Sequence, residues 1–346
     1  MEPPTEPDSH TSAFTGARAT MKAVAQDHYG PPEVLELRDV EIPVPADDEV
    51  LVRVHAAGVD RGVAHLVTGL PYPLRFAGYG IRRPKSAVPG MDLAGRVEAV
   101  GRGVTGFRPG DDVFGIGTGT FAEYACAPAA KLALKPAGLP FVQAAAIAIS
   151  GLTALQGVRD HGRVTPGQAV LIIGASGGVG TFAVQVAKAY GAEVTGVCST
   201  AKVDLVRSIG ADHVVDYTRE DFVRLGRRYD VVLDIGGNSS LSRLRRVLTP
   251  RGRLVIVGGE TDGRWLGGTD RQLRALALSP FVSQTLCVFV SKEDGKDLLV
   301  LRDLVESGAV TPAIDRTYSL SEAATALRRL VDGQVRGKLV VEVSAG

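Results

Sequence analysis

The stretch LIIGASGGVGTFAVQVAKAYG, residues 171–191, sets an apolar run against a knot of glycines and then a run of helical texture. A strand ending at Ile173, a tight turn and a helix opening near Val179 form the order in which a phosphate site is built. In the dinucleotide fingerprint the glycines serve a tight turn, close approach of backbone to pyrophosphate, and close packing of helix on strand. Gly177 and Gly180 hold the last two of these positions, and Ala175 replaces the first glycine. A helix N-terminus offers N–H groups and a positive dipole end, so an anion belongs against Ala175, Ser176, Gly177, Gly178, Val179 and Gly180.

Downstream, strand-like and helix-like segments take turns: EVTGVC, AKVDLVRSIG, HVVDY, YDVVLDIGG, SSLSRLRRVL, GRLVIVGG and TLCVFVS. That rhythm, with strands apolar nearly throughout, predicts an α/β fold with a doubly wound parallel sheet covered by helices on both faces. Upstream, MKAVAQ, EVLVRVHAAGV, LAGRVEAVG, DDVFGIG and TFAEYACAP are short β-rich runs punctuated by Gly and Pro, the texture of a compact β domain. Near Phe141 the pattern turns helical. The reading is a disordered tail over residues 1–20, a β-rich domain over 21–143, a nucleotide-binding domain over 144–290, and a return to the first domain over 291–346.

Bulk properties narrow the partners. Lys plus Arg (39) nearly balances Asp plus Glu (38), so no field gathers nucleic acid or an anionic membrane. Apolar runs break well before the roughly 18 residues a membrane helix needs. The tail lacks the apolar core of a signal peptide, and Cys126, Cys198 and Cys287 are distant and odd in number. A cytoplasmic protein with a small-molecule ligand is expected.

The second strand of the nucleotide-binding unit ends in Cys198, Ser199 and Thr200, then Lys202, with no acid before Asp204. An NAD site usually offers a carboxylate there to the ribose 2′-hydroxyl. Hydroxyls and an ammonium suit a 2′-phosphate instead, so the expected cofactor is NADPH. Tyr217 follows the next strand and could stack beside the adenine ribose.

Taken in order, GPPEVLEL, VPGMDLAGRVEAVG, FRPGDDVFG, FAEYA, GLTALQGV, GASGGVG, SIGADHVVDY and GKLVV resemble the medium-chain dehydrogenase/reductase superfamily, in its zinc-free quinone oxidoreductase-like and enoyl reductase-like branch. The resemblance runs from Met21 to the end. It implies a GroES-like catalytic domain, a Rossmann domain, a cleft between them, and a homodimer formed through a Rossmann edge strand, which LCVFV would fit. It also implies that Ser199, Lys202 and Tyr217 take the 2′-phosphate side, and that Gly258, Gly259, Phe289, Val290 and Ser291 lie near the nicotinamide.

Zinc-dependent relatives place a Cys, a Gly-His-Glu and a second Cys around the metal. The corresponding positions here are Asp60, Gly90 to Asp92, and the apolar AIAIS segment. Met91 and an apolar helix do not supply zinc donors, and His55, His65, His161 and His213 lack a ligand spacing, so a metal-free enzyme is expected. Many zinc-free relatives carry Asn where this chain has Asp60, followed by Arg61; the two residues either cap a turn or enter the cleft.

Without a metal, hydrogen-bond donors must polarise the acceptor, which favours quinones and α,β-unsaturated carbonyls. His65, Tyr72, Tyr79 and Tyr124 are all candidates for the proton donor, and the sequence singles out none. The insertion over residues 68–88 is expected to border the substrate mouth, with RRPK able to attract an acidic or phosphorylated substrate. Two alternatives stand beside the reductase: a zinc-free NADP-dependent carbonyl or alcohol dehydrogenase, and an NADPH-binding redox sensor or partner-binding subunit with little turnover.

Overall fold

A computed structural model describes residues 19–237, 239–258, 263–265 and 267–343. Nearly all of the tail read over residues 1–20 lies outside them; the first strand, Thr20–Ala25, begins at its end.

The α/β alternation becomes a six-stranded parallel sheet. Its spatial order is His213–Asp216, Glu193–Cys198, Ala169–Ile173, Tyr229–Asp234, Leu248–Ile256, Thr285–Val288. The first of these strands in chain order, Ala169–Ile173, therefore sits centrally, and the order reverses between it and Tyr229–Asp234. Ligands of such sheets lie at the carboxyl ends of the strands beside that reversal. Val170, Leu171 and Ile172 are completely buried, as a central strand covered on both faces requires.

The second sheet is assembled from both ends of the chain. Glu49–Val59, Asp92–Val100, Asp112–Ile116 and Leu132–Leu134 form an antiparallel run, and Tyr124–Pro128 also pairs with Glu49–Val59. The closing strand Lys338–Glu342 pairs antiparallel with Glu49–Val59 and parallel with Ile314–Ser319. This is the GroES-like domain with the Rossmann-type sheet between its two contributions.

One core joins the two units. Ala56, Ala94, Phe114 and Ile116 of the GroES-like sheet pack in the same buried cluster as Leu152 and Leu155 of the Ala148–Gln156 helix and Val170 and Ile172 of the parallel sheet. The junction is also polar: Gln185, on the helix after the glycine turn, donates from Nε2 to the Thr311 carbonyl and accepts from the Thr311 N–H, at 3.0 and 2.8 Å. No helix among the described residues is long and apolar enough to cross a membrane.

Candidate functional site

The glycine turn has the geometry its sequence implies, with the strain displaced by one residue. Gly174, not residue 175, carries the left-handed backbone, at φ +87°. Ala175 is fully buried, its methyl facing Gly196 of the neighbouring strand, and its N–H donates to the Val197 carbonyl at 3.1 Å. An alanine fits there because the turn is made before it.

The next two glycines differ in purpose. A Cβ on Gly180 would stand 2.1 Å from the Gly174 carbonyl oxygen, so the helix Gly178–Ala189 approaches its strand only without one. At Gly177 the backbone is ordinary, φ −85° and ψ 177°, and a Cβ would meet nothing closer than 3.6 Å. Nothing in the protein's own packing requires glycine at 177. The space beside it, at a helix N-terminus whose cap uses no side chain, is the cradle a phosphate would fill.

At the end of Glu193–Cys198, Ser199 opens the turn that carries Lys202, whose Nζ donates to the Gly333 carbonyl at 3.3 Å. Burial and the nearby positive charge of Arg336 lower the Lys202 pKa. An ammonium held beside a guanidinium suits an anion. Arg336 was not visible as part of this cluster because it arrives from the far end of the chain. Tyr217 is 61% exposed and its N–H donates to the Cys198 carbonyl, which sets it beside the same strand end.

Lys338 lies where the two units meet. Its side chain is 1% exposed; Nζ donates to Asp92 Oδ2 at 3.0 Å and stands 3.9 Å from Asp60 Oδ2. Asp92 also accepts the Ile149 N–H at 2.8 Å. Asp60 caps the helix Arg61–Thr68 through Oδ1, which takes the Val63 N–H at 3.2 Å, while its buried Oδ2 has no hydrogen-bond partner. Asp60 is thus a cap, as one reading had it; its other oxygen joins a buried cluster of two carboxylates on one ammonium and is not among the groups that line the cavity beside Met91. The stem of Lys338 runs beneath Gly178, and the preceding Gly337 donates its N–H to the Ser176 carbonyl at 2.8 Å. A lysine opening the otherwise apolar GKLVVEV was the available signal for a buried partner.

The electrostatics follow from this sharing. Burial penalises Lys338's charge, yet attraction from Asp92 and Asp60 outweighs it and holds the pKa above its ordinary value. Asp92, desolvated and beside Asp60, is pushed up to about 6 despite the ammonium and the Ile149 N–H.

Next to Asp92, Met91 lines a cavity of about 430 Å³. Tyr79, Lys85, Ser86, Thr118, Lys131 and Glu293 supply its polar wall, with Lys131 and Glu293 paired at 2.5 Å. The insertion over residues 68–88 thus borders the cavity. Of the four candidate proton donors, only Tyr79 lines it. Burial, then the negative charges of Asp60 and Glu293, raise the Tyr79 phenol's pKa, so it remains a donor.

The other three candidates have different surroundings. Tyr124 packs with Met21 and Ala23 of the N-terminal strand and with Ala122, because its position in Tyr124–Pro128 faces that cluster. Tyr72 stands edge-on to Trp265, with ring centroids 5.2 Å apart, and under the Arg75 guanidinium. His65 Nδ1 lies 2.6 Å from the Leu70 carbonyl at the end of its helix.

At the reversal of strand order, Asp234 is fully buried and pairs with Arg271, which also donates to the Gly258 carbonyl at 2.8 Å. This pair, missed in the sequence, fixes the loop at Gly258; Gly259 lies outside the described residues. Phe289 stacks on His161, centroids 4.2 Å apart, and Ser291 accepts from Thr153 at 3.1 Å, so both side chains turn onto the segment 153–161. Val290 is 91% exposed.

Asp60 and Asp92, which the resemblance sets against zinc ligands of metal-dependent relatives, face the Lys338 ammonium. A metal among Asp60, Met91 and Asp92 would have to displace Lys338's ammonium from both carboxylates, and would find neither thiolate nor imidazole there. These residues do not fit a zinc ion.

Residues 46–137 match the family model for the alcohol dehydrogenase GroES-like domain, and residues 209–341 match that for zinc-binding dehydrogenase. The chain is 31% identical over 332 residues to a quinone oxidoreductase of Homo sapiens, across 93% of this chain and 97% of that one. It is 31% identical over 349 residues to a 2-methylene-furan-3-one reductase of Solanum lycopersicum, across 96% and 82%. Among solved structures, the quinone oxidoreductase of Coxiella burnetii superposes with a TM-score of 0.83 at 30% identity, across 94% of this chain and all of that one. The Escherichia coli quinone oxidoreductase complexed with NADPH gives 0.79 at 27%, across 93% and 100%.

Two expectations follow. Gly177→Ala keeps its thermal midpoint but binds dinucleotide about tenfold more weakly or worse by titration calorimetry, whereas Gly180→Ala loses about 2 kcal/mol of folding stability. For the buried cluster, Asp92 holds a proton when folded that it has lost when unfolded, from about 3.8 up to about 6. Its contribution to stability therefore falls as pH rises through that window. Denaturant titrations at both ends of the window should show that fall in the wild type and a flatter profile in Asp92→Asn.

Proposed function

The chain belongs to the medium-chain dehydrogenase/reductase superfamily, in its zinc-free quinone oxidoreductase-like branch, and from that premise we propose that it is an NADPH-dependent reductase of quinones or α,β-unsaturated carbonyls. The observation that carries the reading is the pairing of an open glycine cradle at a helix N-terminus with a cavity holding a single phenol donor among the candidates. When bound, NADPH supplies the hydride.

The chain's own groups supply binding and charge control. Gly177 and its neighbours receive the pyrophosphate through backbone N–H groups, and Ser199, Lys202, Tyr217 and Arg336 meet the 2′-phosphate. Tyr79 donates its hydroxyl hydrogen bond to the acceptor oxygen as negative charge develops there. Burial, and then its carboxylate neighbours, keep it protonated, and an uncharged donor suits a delocalised enolate or hydroquinone anion. No metal takes part in this reading, because Lys338 holds the carboxylates that would bind one.

A cytoplasmic homodimer is part of the same proposal. Among the described residues the edge strand Thr285–Val288 leaves one backbone edge unpaired, and Leu273, Leu276 and Phe281 nearby in the chain expose apolar side chains. A second copy pairing along this edge would cover both.

The test is NADPH oxidation against a panel of quinones and enones. Turnover is expected, and Tyr79→Phe should lower kcat with an enone about 10²-fold without changing the Kd for NADPH. Tight NADPH binding with no acceptor reduced would return the sensor reading. Lys202→Ala should raise the Kd for NADPH about tenfold and leave that for NADH unchanged, as measured by calorimetry.

A further inference from the structure

A second cavity, of about 250 Å³, is walled by Arg163, Gln168, Asp230, Thr249, Arg251 and Arg253. It lies at the end of the parallel sheet remote from the glycine turn. Gln168 and Asp230 stand where Ala169–Ile173 and Tyr229–Asp234 begin, whereas the glycine turn follows the first of these strands at Ile173. Three guanidiniums thus share a wall with one carboxylate. No carboxylate among the described residues stands within ion-pair distance of Arg163, Arg251 or Arg253, and Arg253 reaches only the Cys287 sulfur, at 3.9 Å. A concave wall with an excess of one charge focuses its field on ions of the other sign.

Two irregularities of the backbone build this wall. Tyr229 pairs with Leu248 and Val231 with Arg253, so Asp230 alone stands opposite residues 249–252, which bulge from the sheet. Bulges re-aim side chains, and this one brings Thr249 and Arg251 to the wall. Asp230 braces it: Oδ1 accepts the Thr249 hydroxyl at 3.4 Å and Oδ2 the Ala169 N–H at 3.0 Å, so both oxygens of the one acid serve the scaffold. The second irregularity is Arg163, which ends the helical turn Gly157–Gly162 at φ +51° and ψ +45°. Among the described residues it alone has positive φ without being glycine. Glycine is the ordinary occupant of such a helix end, and a side chain there strains the backbone. Arg163 is exposed, so the fold gains no packing in return. A bound anion would gain a guanidinium.

We infer that this cavity is a second anion site, separate from the cofactor cradle, for a compact phosphate-bearing molecule of two or more negative charges. Guanidinium forks meet phosphate oxygens in pairs. Three of them against one carboxylate leave two positive charges, which a dianion balances and a lone carboxylate does not. Gln168 accepts the Thr165 N–H through Oε1 at 3.0 Å, which leaves its amide N–H groups for a ligand. The volume falls below the roughly 300 Å³ at which ligand clefts begin, so a compact anion fits and a whole dinucleotide does not. The five-residue strand Ala169–Ile173, about 16 Å long at 3.3 Å per residue, separates the site from the glycine turn. Binding here is independent of the reductase reading.

The experiment titrates inorganic diphosphate into the full chain by calorimetry at low salt, with and without saturating NADPH. A dissociation constant below about 1 mM is expected in both conditions, with acetate at least about tenfold weaker. Raising the salt should weaken diphosphate binding. Arg163→Gly should bind diphosphate about tenfold more weakly while its thermal midpoint holds or rises, because glycine accepts the left-handed backbone. Arg251→Ser, on the exposed bulge, should weaken binding similarly and leaves the turn at 163 untouched. Gly177→Ala should keep this binding. No binding, acetate bound as tightly as diphosphate, or unchanged affinity in both arginine variants overturns the inference. Loss of binding with NADPH or in Gly177→Ala assigns the anion to the cofactor cradle and overturns it too. NADPH oxidation, measured separately, decides the reductase reading whichever way this site answers.

Discussion

The ammonium of Lys338, sealed between Asp92 and Asp60, is the constraint on which the rest of the site depends. An unpaired charge at such depth would cost several kcal/mol, so the three side chains keep one another in place. Each comes from a different element: Asp60 from the end of Glu49–Val59, Asp92 from the start of its neighbour, Lys338 from the closing strand. The same lysine passes beneath Gly178, where the dinucleotide turn becomes a helix. One buried cation thereby sets the register between the sheet that walls the cavity and the turn that faces the pyrophosphate.

That register explains the chain's order. The closing strand must return to the GroES-like sheet, and as it does so Gly337 meets Ser176 and Gly177 of the Rossmann-type unit. Gln185 and Thr311 repeat the tie one helix away. Polar contacts at the junction are directional, so they fix the relative placement of two units whose shared apolar cluster alone would tolerate sliding.

What the sequence disclosed and what it withheld divide along a physical line. Alternating apolar segments and the glycine spacing depend on neighbours in the chain, so the parallel sheet, the turn and its helix could be read directly. Gly174 was overlooked because the fingerprint assigns the tight turn to the next position, and a left-handed φ leaves no mark beyond the glycine itself. Lys338, Arg336 and Arg271 gain their roles from charged partners 37 to 278 positions away, which no local pattern records. Choosing Tyr79 over Tyr72 and Tyr124 likewise needed the fold: one tyrosine faces the cavity, one faces Trp265 and one faces Met21. Asp60 could be placed only as a choice between cap and cleft, because its second oxygen answers to Lys338, some 278 positions away.

Charge is sorted along the cleft. At its middle every described cation is compensated, Lys338 by two carboxylates and Lys131 by Glu293. At the turn after Glu193–Cys198, Lys202 stands beside Arg336, and burial and that guanidinium outweigh the attraction of Asp315. A hydride carries its electron pair to a carbon without needing a resident positive charge, and a neutral phenol can receive the resulting oxyanion as a hydrogen-bond donor. Compensated cations therefore suit the transfer itself, while the pairing of Lys202 with Arg336 suits an anionic handle on what is being held. The Lys338 ammonium already occupies both carboxylates, so the burial that orients the two units and the poor fit to a zinc ion arise from the same three side chains.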